Sequence, residues 1–166
     1  ETVDLAPLVG EVLDSLRAQL HARNAIVRVQ PNQSDGPTLA TVGRFVEQIF
    51  VNLVSNAIKY NNGPLVEIEI GYERAGSPAF PPAAAGFGHA FFVKDNGIGI
   101  PEAHRDTVFR IFKRLHARDK YGGGTGAGLT IVKRLVERLG GDVWIEPRAE
   151  GGTTFWFTIL EGDLRT

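Results

Sequence analysis

A two-layer α/β sandwich, with a mixed sheet of about five strands packed on three main helices, is the fold class this sequence predicts. Apolar residues recur at helical spacing in three stretches and alternate or run together in five or six short ones. Turns rich in Gly, Pro, Asn or Asp separate the two kinds. At 166 residues the chain has the length of one domain, and 43% hydrophobic residues fill a core without covalent staples.

Leu8, Val12, Leu13, Leu16 and Leu20, with Pro7 suited to a first turn, predict an amphipathic helix over residues 6–22. A short strand over 25–30 follows, then a loop over 31–37, a brief strand near Leu39 and a long helix from about Val42 to Asn61-Asn62-Gly63. Val66, Ile68 and Ile70 alternate with Glu67 and Glu69 as in a strand with one wet face, and 89–94 reads as its apolar partner. Between them, 75–88 is rich in Pro, Ala and Gly, too long for a tight hairpin and expected to be a mobile excursion. Pro101 opens a short helix to about Phe109, and the charged, glycine-rich stretch 113–125 is expected to move. Leu129, Val132, Val136 and Leu139 form a last helix that Gly140-Gly141 stops, before strands near 143–146 and 154–160.

The bulk properties exclude several classes. A net charge of -1, from 18 basic and 19 acidic residues, creates no field that draws nucleic acid or an anionic membrane. With no cysteine there is neither a disulfide framework nor a thiolate nucleophile, which fits a cytoplasmic location. No apolar run approaches the ~18 residues of a spanning helix, so no membrane contact is expected of this domain. There is no methionine, even at position 1, so residues 1–166 read as a single domain cut from a longer polypeptide.

The long helix carries an unusual stripe. At ~100° per residue Gln48, Asn52, Asn56 and Lys59 fall within a sector of roughly 80°, and the remaining positions are nearly all apolar. A buried amide without a partner costs about 1–3 kcal/mol, so these carboxamides need partners, and a ligand is one kind. An amide oxygen suits Mg²⁺, and Lys59 one turn on suits the phosphates such an ion carries. A solvated or backbone-capping face fits the stripe equally well.

Two glycine clusters follow. Asp95-Asn96-Gly97-Ile98-Gly99-Ile100-Pro101 comes directly after an apolar strand, which sets a carboxylate at a strand end. A carboxylate only accepts hydrogen bonds, which fits an exocyclic amino group such as that of adenine; an ordinary Asp-Asn-Gly turn is the plain alternative. Gly122-Gly123-Gly124-Thr125-Gly126-Ala127-Gly128 leads straight into the last helix, whose N-terminal N–H groups favour an anion. It lacks the Walker lysine, since Leu129 precedes Thr130, and no strand precedes it as a Rossmann fingerprint requires. A flexible glycine linker is the alternative reading.

In order, these strings resemble the GHKL ATPase superfamily and, within it, the catalytic ATP-binding domain of sensor histidine kinases. Asn52-Leu53-Val54-Ser55-Asn56-Ala57-Ile58-Lys59-Tyr60 resembles the asparagine box and Asp95–Ile100 the first glycine box. Phe109-Arg110-Ile111-Phe112 resembles the phenylalanine box, Gly124–Leu129 the second glycine box, and Gly151-Gly152-Thr153-Thr154-Phe155 the closing element. The resemblance implies a Bergerat-type fold with a mobile ATP lid, and ATP and Mg²⁺ as cofactors. By it, Asn56 coordinates the metal, Asn52 and Lys59 lie near the phosphates, and Tyr60 lines the adenine side. Asp95 reads the adenine amino group, Gly97, Gly99 and Ile100 shape the base pocket, and Thr154 lies beside the base. Arg114 approaches the terminal phosphate, and Gly124, Thr125, Gly126, Gly128 and Leu129 close over the phosphate chain.

Phe112-Lys113-Arg114-Leu115-His116 resembles the lid of phytochrome-type kinases, although Gly122-Gly123-Gly124 adds a glycine to it. The bilin chromophore of a phytochrome would belong to an upstream module. None of His21, His89, His104 or His116 stands in an acceptor motif, so the acceptor histidine is expected on a separate dimerisation bundle of a homodimer that then serves a response regulator. A self-contained GHKL ATPase, a protein-serine kinase and a non-catalytic regulatory module are the competing readings.

Overall fold

The computed structural model describes residues 1–30, 36–101 and 127–161. Its elements run β1 (Thr2–Asp4), α1 (Leu5–Ser15), α2 (Arg17–Ala22), β2 (Ile26–Gln30), β3 (Thr38–Ala40), α3 (Gly43–Lys59), β4 (Glu67–Arg74), β5 (His89–Asp95), α4 (Ala127–Arg138), β6 (Val143–Pro147) and β7 (Thr153–Phe157). The helix expected over 6–22 is broken at Leu16 into α1 and α2. The short strand β1, which has too few residues to show a period, pairs antiparallel with β3. The helix expected after Pro101 and the lid lie outside the described residues.

Five strands form the main sheet in the order β2-β4-β5-β7-β6, with β2 and β4 parallel and the other pairs antiparallel. α3 lies in the crossover between β2 and β4, as a parallel pair requires. The fold class is therefore the mixed five-stranded α/β sandwich that the periodicities predict.

Strand parity divides the sheet into two faces. Phe91, Val93, Phe155 and Phe157 turn toward the helices and join Val12, Phe50, Leu53, Val132 and Val136 in the main core. The Phe157 ring sits 5.3 Å from both Phe50 and Phe91. Each such fully buried large side chain contributes about 1.5–3 kcal/mol. Phe92 and Trp156 turn the other way and join Ala84 and Ala90 in a second core on the outer face, with Phe80 and Trp144 against it.

That second core corrects the expectation for 75–88. The segment is anchored by the amide of Ala75 donating to the Gly88 carbonyl at 2.9 Å, and contains a 3-10 turn, Pro82–Ala84. Ala84 is fully buried against Phe92 and Trp156, so the segment is a cover on the sheet, not a loose excursion.

Candidate functional site

Three segments distant in sequence meet at one end of the sheet. α3 brings Asn56 and Tyr60, β5 ends in Asp95 and runs on into Ile98, Gly99 and Ile100, and β7 begins with Thr153; with Phe155 they line one narrow cleft of about 10 Å³. The first turn of α4 abuts the same stretch of α3, since a Cβ on Gly128 would stand 3.3 Å from the Asn52 side-chain oxygen. Two roomier clefts lie elsewhere. One, of about 500 Å³, is lined by Glu69, Phe92 and Lys94 on the outer sheet face, and one, of about 550 Å³, by Ile131 and Arg134 on α4. Neither holds a predicted site residue, so chemistry marks the site where size does not.

Asp95 is the centre of the cleft. On β5 it shares the inward face with Phe91 and Val93, and it is 5% exposed. Its Oδ1 accepts the Gly97 amide at 2.9 Å, and the Thr153 amide also donates to the carboxylate. Burial raises the carboxyl from 3.8 to about 6, against the lowering effect of those two amides and of the Arg148 charge. At neutral pH the group is therefore mostly ionised and accepts hydrogen bonds only. Burial likewise raises the Tyr60 phenol above its ordinary value.

The loop after β5 is stitched to the end of α3. The Ile98 amide donates to the Tyr60 carbonyl at 2.9 Å, and a Cβ on Gly97 would collide with that same carbonyl, so only glycine allows the approach. Asn96 acts as a hub. Its Oδ1 accepts from Asn61 Nδ2 at 2.7 Å and from the Glu67 amide at 2.9 Å, while its Nδ2 donates to the Leu65 carbonyl at 3.1 Å. From the turn after α2, Arg23 donates to the carbonyls of Ile58, Asn61 and Gly63 at 3.1, 2.8 and 3.2 Å. Arg23 thereby satisfies the Ile58 carbonyl, which the end of α3 leaves open, and ties down two carbonyls of the loop that follows.

Of the residues singled out in the sequence, Asn56, Tyr60, Asp95, Gly99 and Ile100 come together in the cleft, and Gly97 forms the turn beneath it. Asn52 is half-buried, with Nδ2 donating to the Gln48 carbonyl at 3.0 Å; Lys59 is exposed on the last turn of α3. Leu129 is a core residue at 1% exposure, so its side chain is not available to a ligand. Thr154 requires correction. It pairs with Lys94 and Glu146 on the outer face, and its neighbour Thr153, opposite Asp95, is the one that lines the cleft. The period of two along β7 carries that signal, because Phe155 and Phe157 must face the main core. Arg148 gives no such signal, being one charge in a turn. Arg114, Gly124, Thr125 and Gly126 lie outside the described residues.

Comparison with known proteins identifies the family and the fold. Cyanobacterial phytochrome B of Nostoc sp. is 43% identical over 97% of this chain and 20% of its own length, and sensor histidine kinase AruS of Pseudomonas aeruginosa is 37% identical over 96% of this chain and 16% of its own. The chain thus spans about a fifth of the length of the curated relatives it matches. Among solved structures, the catalytic domain of histidine kinase ThkA aligns with a TM-score of 0.74 at 23% identity, covering 97% of this chain and 96% of that one. Full-length ShkA in complex with AMPPNP aligns with a TM-score of 0.71 at 23% identity, covering 99% of this chain and 32% of that one. These two share the fold. The family model described as histidine kinase-, DNA gyrase B-, and HSP90-like ATPase matches residues 41–163, which hold α3, both glycine clusters and the cleft, and the chain belongs to that family.

Proposed function

We propose that this chain binds Mg-ATP and donates the γ-phosphoryl group to a histidine on a separate dimerisation bundle, as the ATP-binding half of a protein-histidine kinase. The single observation that carries the reading is the buried, ionised Asp95 at the end of a cleft shared with Asn56 and Tyr60. An acceptor-only carboxylate there matches the adenine amino group, and Tyr60, Ile98 and Ile100 offer apolar walls for the ring, which parts them on entering. The relatives named phytochrome and sensor histidine kinase support the transfer to histidine, and the AMPPNP bound to ShkA supports a nucleoside triphosphate as donor.

The donor set suits Mg²⁺. No group of three His, Cys, Asp or Glu able to hold a metal exists among the described residues, so the amide oxygen of Asn56 would join phosphate oxygens and water around the ion. Bound there, Mg²⁺ supplies charge neutralisation along the phosphates. Lys59 and Arg114 complete it from the protein, while Asn52, Gly124, Thr125, Gly126, Gly128 and the backbone of Leu129 hold the phosphate chain. The acceptor imidazole nitrogen takes the γ-phosphoryl group and ADP leaves. In the whole protein we place this domain downstream of a light-sensing bilin module, in a cytoplasmic homodimer that passes the phosphoryl group to a response regulator. No helix among the described residues is long and apolar enough to cross a membrane.

Calorimetric titration with Mg-ATP tests the site. Asn56→Asp and Asp95→Asn are each expected to abolish binding while the circular dichroism spectrum stays that of the parent. Unchanged affinity in both would remove this reading, and steady ATP hydrolysis by the chain alone would favour a self-contained ATPase.

A further inference from the structure

The hairpin between β6 and β7 does more than reverse the chain. Arg148, the residue after β6, reaches across β7 to β5, where its Nη1 donates to the backbone carbonyl of Asp95 at 2.7 Å. The hairpin is shaped for that reach. The Gly151 amide donates to the Arg148 carbonyl at 3.0 Å and the Arg148 amide to the Gly152 carbonyl at 3.3 Å, which closes a short turn. Gly152 has φ +97, and a Cβ there would strike the Asp95 carbonyl and the Asn96 Cα, so the hairpin lies directly on the end of β5.

The bonding around Asp95 is divided in an informative way. The Thr153 amide, opposite Asp95 in the ladder, donates to the side-chain carboxylate. The Asp95 backbone carbonyl receives the guanidinium. A charged donor thus holds the last carbonyl of β5 at the point where the chain leaves the sheet for the glycine turn, and the direction of the carboxylate depends on that point. We propose that Arg148 is a positioning residue of the base site, holding the end of β5 so that the Asp95 carboxylate faces the cleft as an ionised acceptor. The inference rests on the nucleotide reading above.

The surroundings leave few other candidates for this role among the described residues. Tyr60 faces Asp95 from α3 as a neutral phenol, Thr153 faces it from β7, and Ile68 is its neighbour on β4. Lys94 is turned to the outer face, where its ammonium sits 4.7 Å from the Phe92 ring centroid. Glu150 meets Arg148 only at 3.5 Å on its exposed side. Among the described residues Arg148 is the cation whose charge reaches Asp95, and it favours the carboxylate over the acid.

The test is Mg-ATP titration calorimetry on the parent, Arg148→Met, Arg148→Lys, Glu150→Gln and Asp95→Asn, from about pH 5 to about pH 8, a range spanning the Asp95 titration. Arg148→Met is expected to bind roughly tenfold to a hundredfold more weakly at neutral pH, the scale of one charge-assisted hydrogen bond. The pH below which its binding fails is expected to move upward. Arg148→Lys restores the parent's pH profile with part of the affinity, and Glu150→Gln binds as the parent does. Parent-like affinity in Arg148→Met, or weaker binding with an unmoved pH profile, overturns the proposal. If Arg148→Met does not fold, Arg148→Lys decides: a profile differing from the parent's, or the parent's full affinity, overturns it, and weaker binding with the parent's profile upholds it. A parent that does not bind, or an Asp95→Asn variant that binds as well as the parent, overturns the nucleotide reading instead.

Discussion

Burial at the end of β5 sets Asp95 against its own charge, lifting its carboxyl from 3.8 to about 6 even with two amides and a guanidinium favouring ionisation. The sign of the effect on folding follows from linkage. A carboxyl raised in the folded state contributes stability below about 3.8, and that contribution is lost as pH climbs through about 6. At neutral pH the ionised group therefore costs the fold on the order of 3 kcal/mol. Asp95→Asn, which cannot ionise, is expected to melt higher than the parent at pH 8, with the gain shrinking as pH falls from about 6 toward about 4. Calorimetric melting at several pH values measures it, and a pH-independent difference would remove the account. The same carboxylate is the proposed adenine acceptor, so stability and binding are expected to move in opposite directions in this variant. The place of Asp95 was legible in the sequence, because a carboxylate between an apolar strand and a glycine turn sits at a strand end, although an ordinary Asp-Asn-Gly turn fitted the string as well. The face of Thr153 was legible too, through strand parity, although motif resemblance alone pointed to Thr154. Arg148 was not legible, since its partner is a backbone carbonyl that no side-chain pattern announces.

At the scale of elements, the C-terminal turn of α3 does two jobs: it presents Asn56, Lys59 and Tyr60, and it closes a helix whose final carbonyls need donors. Arg23 supplies one to the Ile58 carbonyl from outside the helix and bonds Asn61 and Gly63 in the loop beyond, and its positive charge lies at the negative end of the α3 dipole. Arg23→Ala is expected to cost about 2 kcal/mol, discounted for partial exposure, or a drop of roughly 4–8 °C in Tm. Thermal melting checks this, and an unchanged Tm would show that water replaces the guanidinium without loss. The extents of α3 and α4 follow directly from apolar periodicity, as does the pairing of β4 with β5. The cover formed by 75–88 escaped because Pro, Ala and Gly composition reads as looseness. A counter-signal was present in Ala90-Phe91-Phe92-Val93, an unbroken apolar run that a strand wet on one face does not carry. Such a run requires both faces of β5 to be covered, and Phe80 with Ala84 supplies the second cover.

At the scale of the whole molecule, the proposed transfer sets a donor site at one end of the sheet and needs an acceptor imidazole that can reach it. His89 cannot serve. It begins β5 while Asp95 ends it, six residues and ~20 Å away at strand rise. Its Nδ1 is held 2.7 Å from Glu161, and its ring packs against Tyr72 and Phe91. His21 is exposed near the end of α2, outside any acceptor motif, and His104 and His116 lie beyond the described residues. Transfer is therefore expected only in trans. With γ-labelled ATP and Mg²⁺ the chain alone should acquire no acid-labile phosphate, while a histidine-bearing bundle from a phytochrome relative should become labelled when the two are mixed. Asp95→Asn should remove that label, because it removes the donor's nucleotide. Asn56→Asp should do the same by disturbing the metal. Label on the chain's own histidines would place the acceptor within this domain and overturn the division of labour, and an unlabelled bundle beside a chain that demonstrably binds ATP would leave nucleotide binding standing while removing the kinase reading.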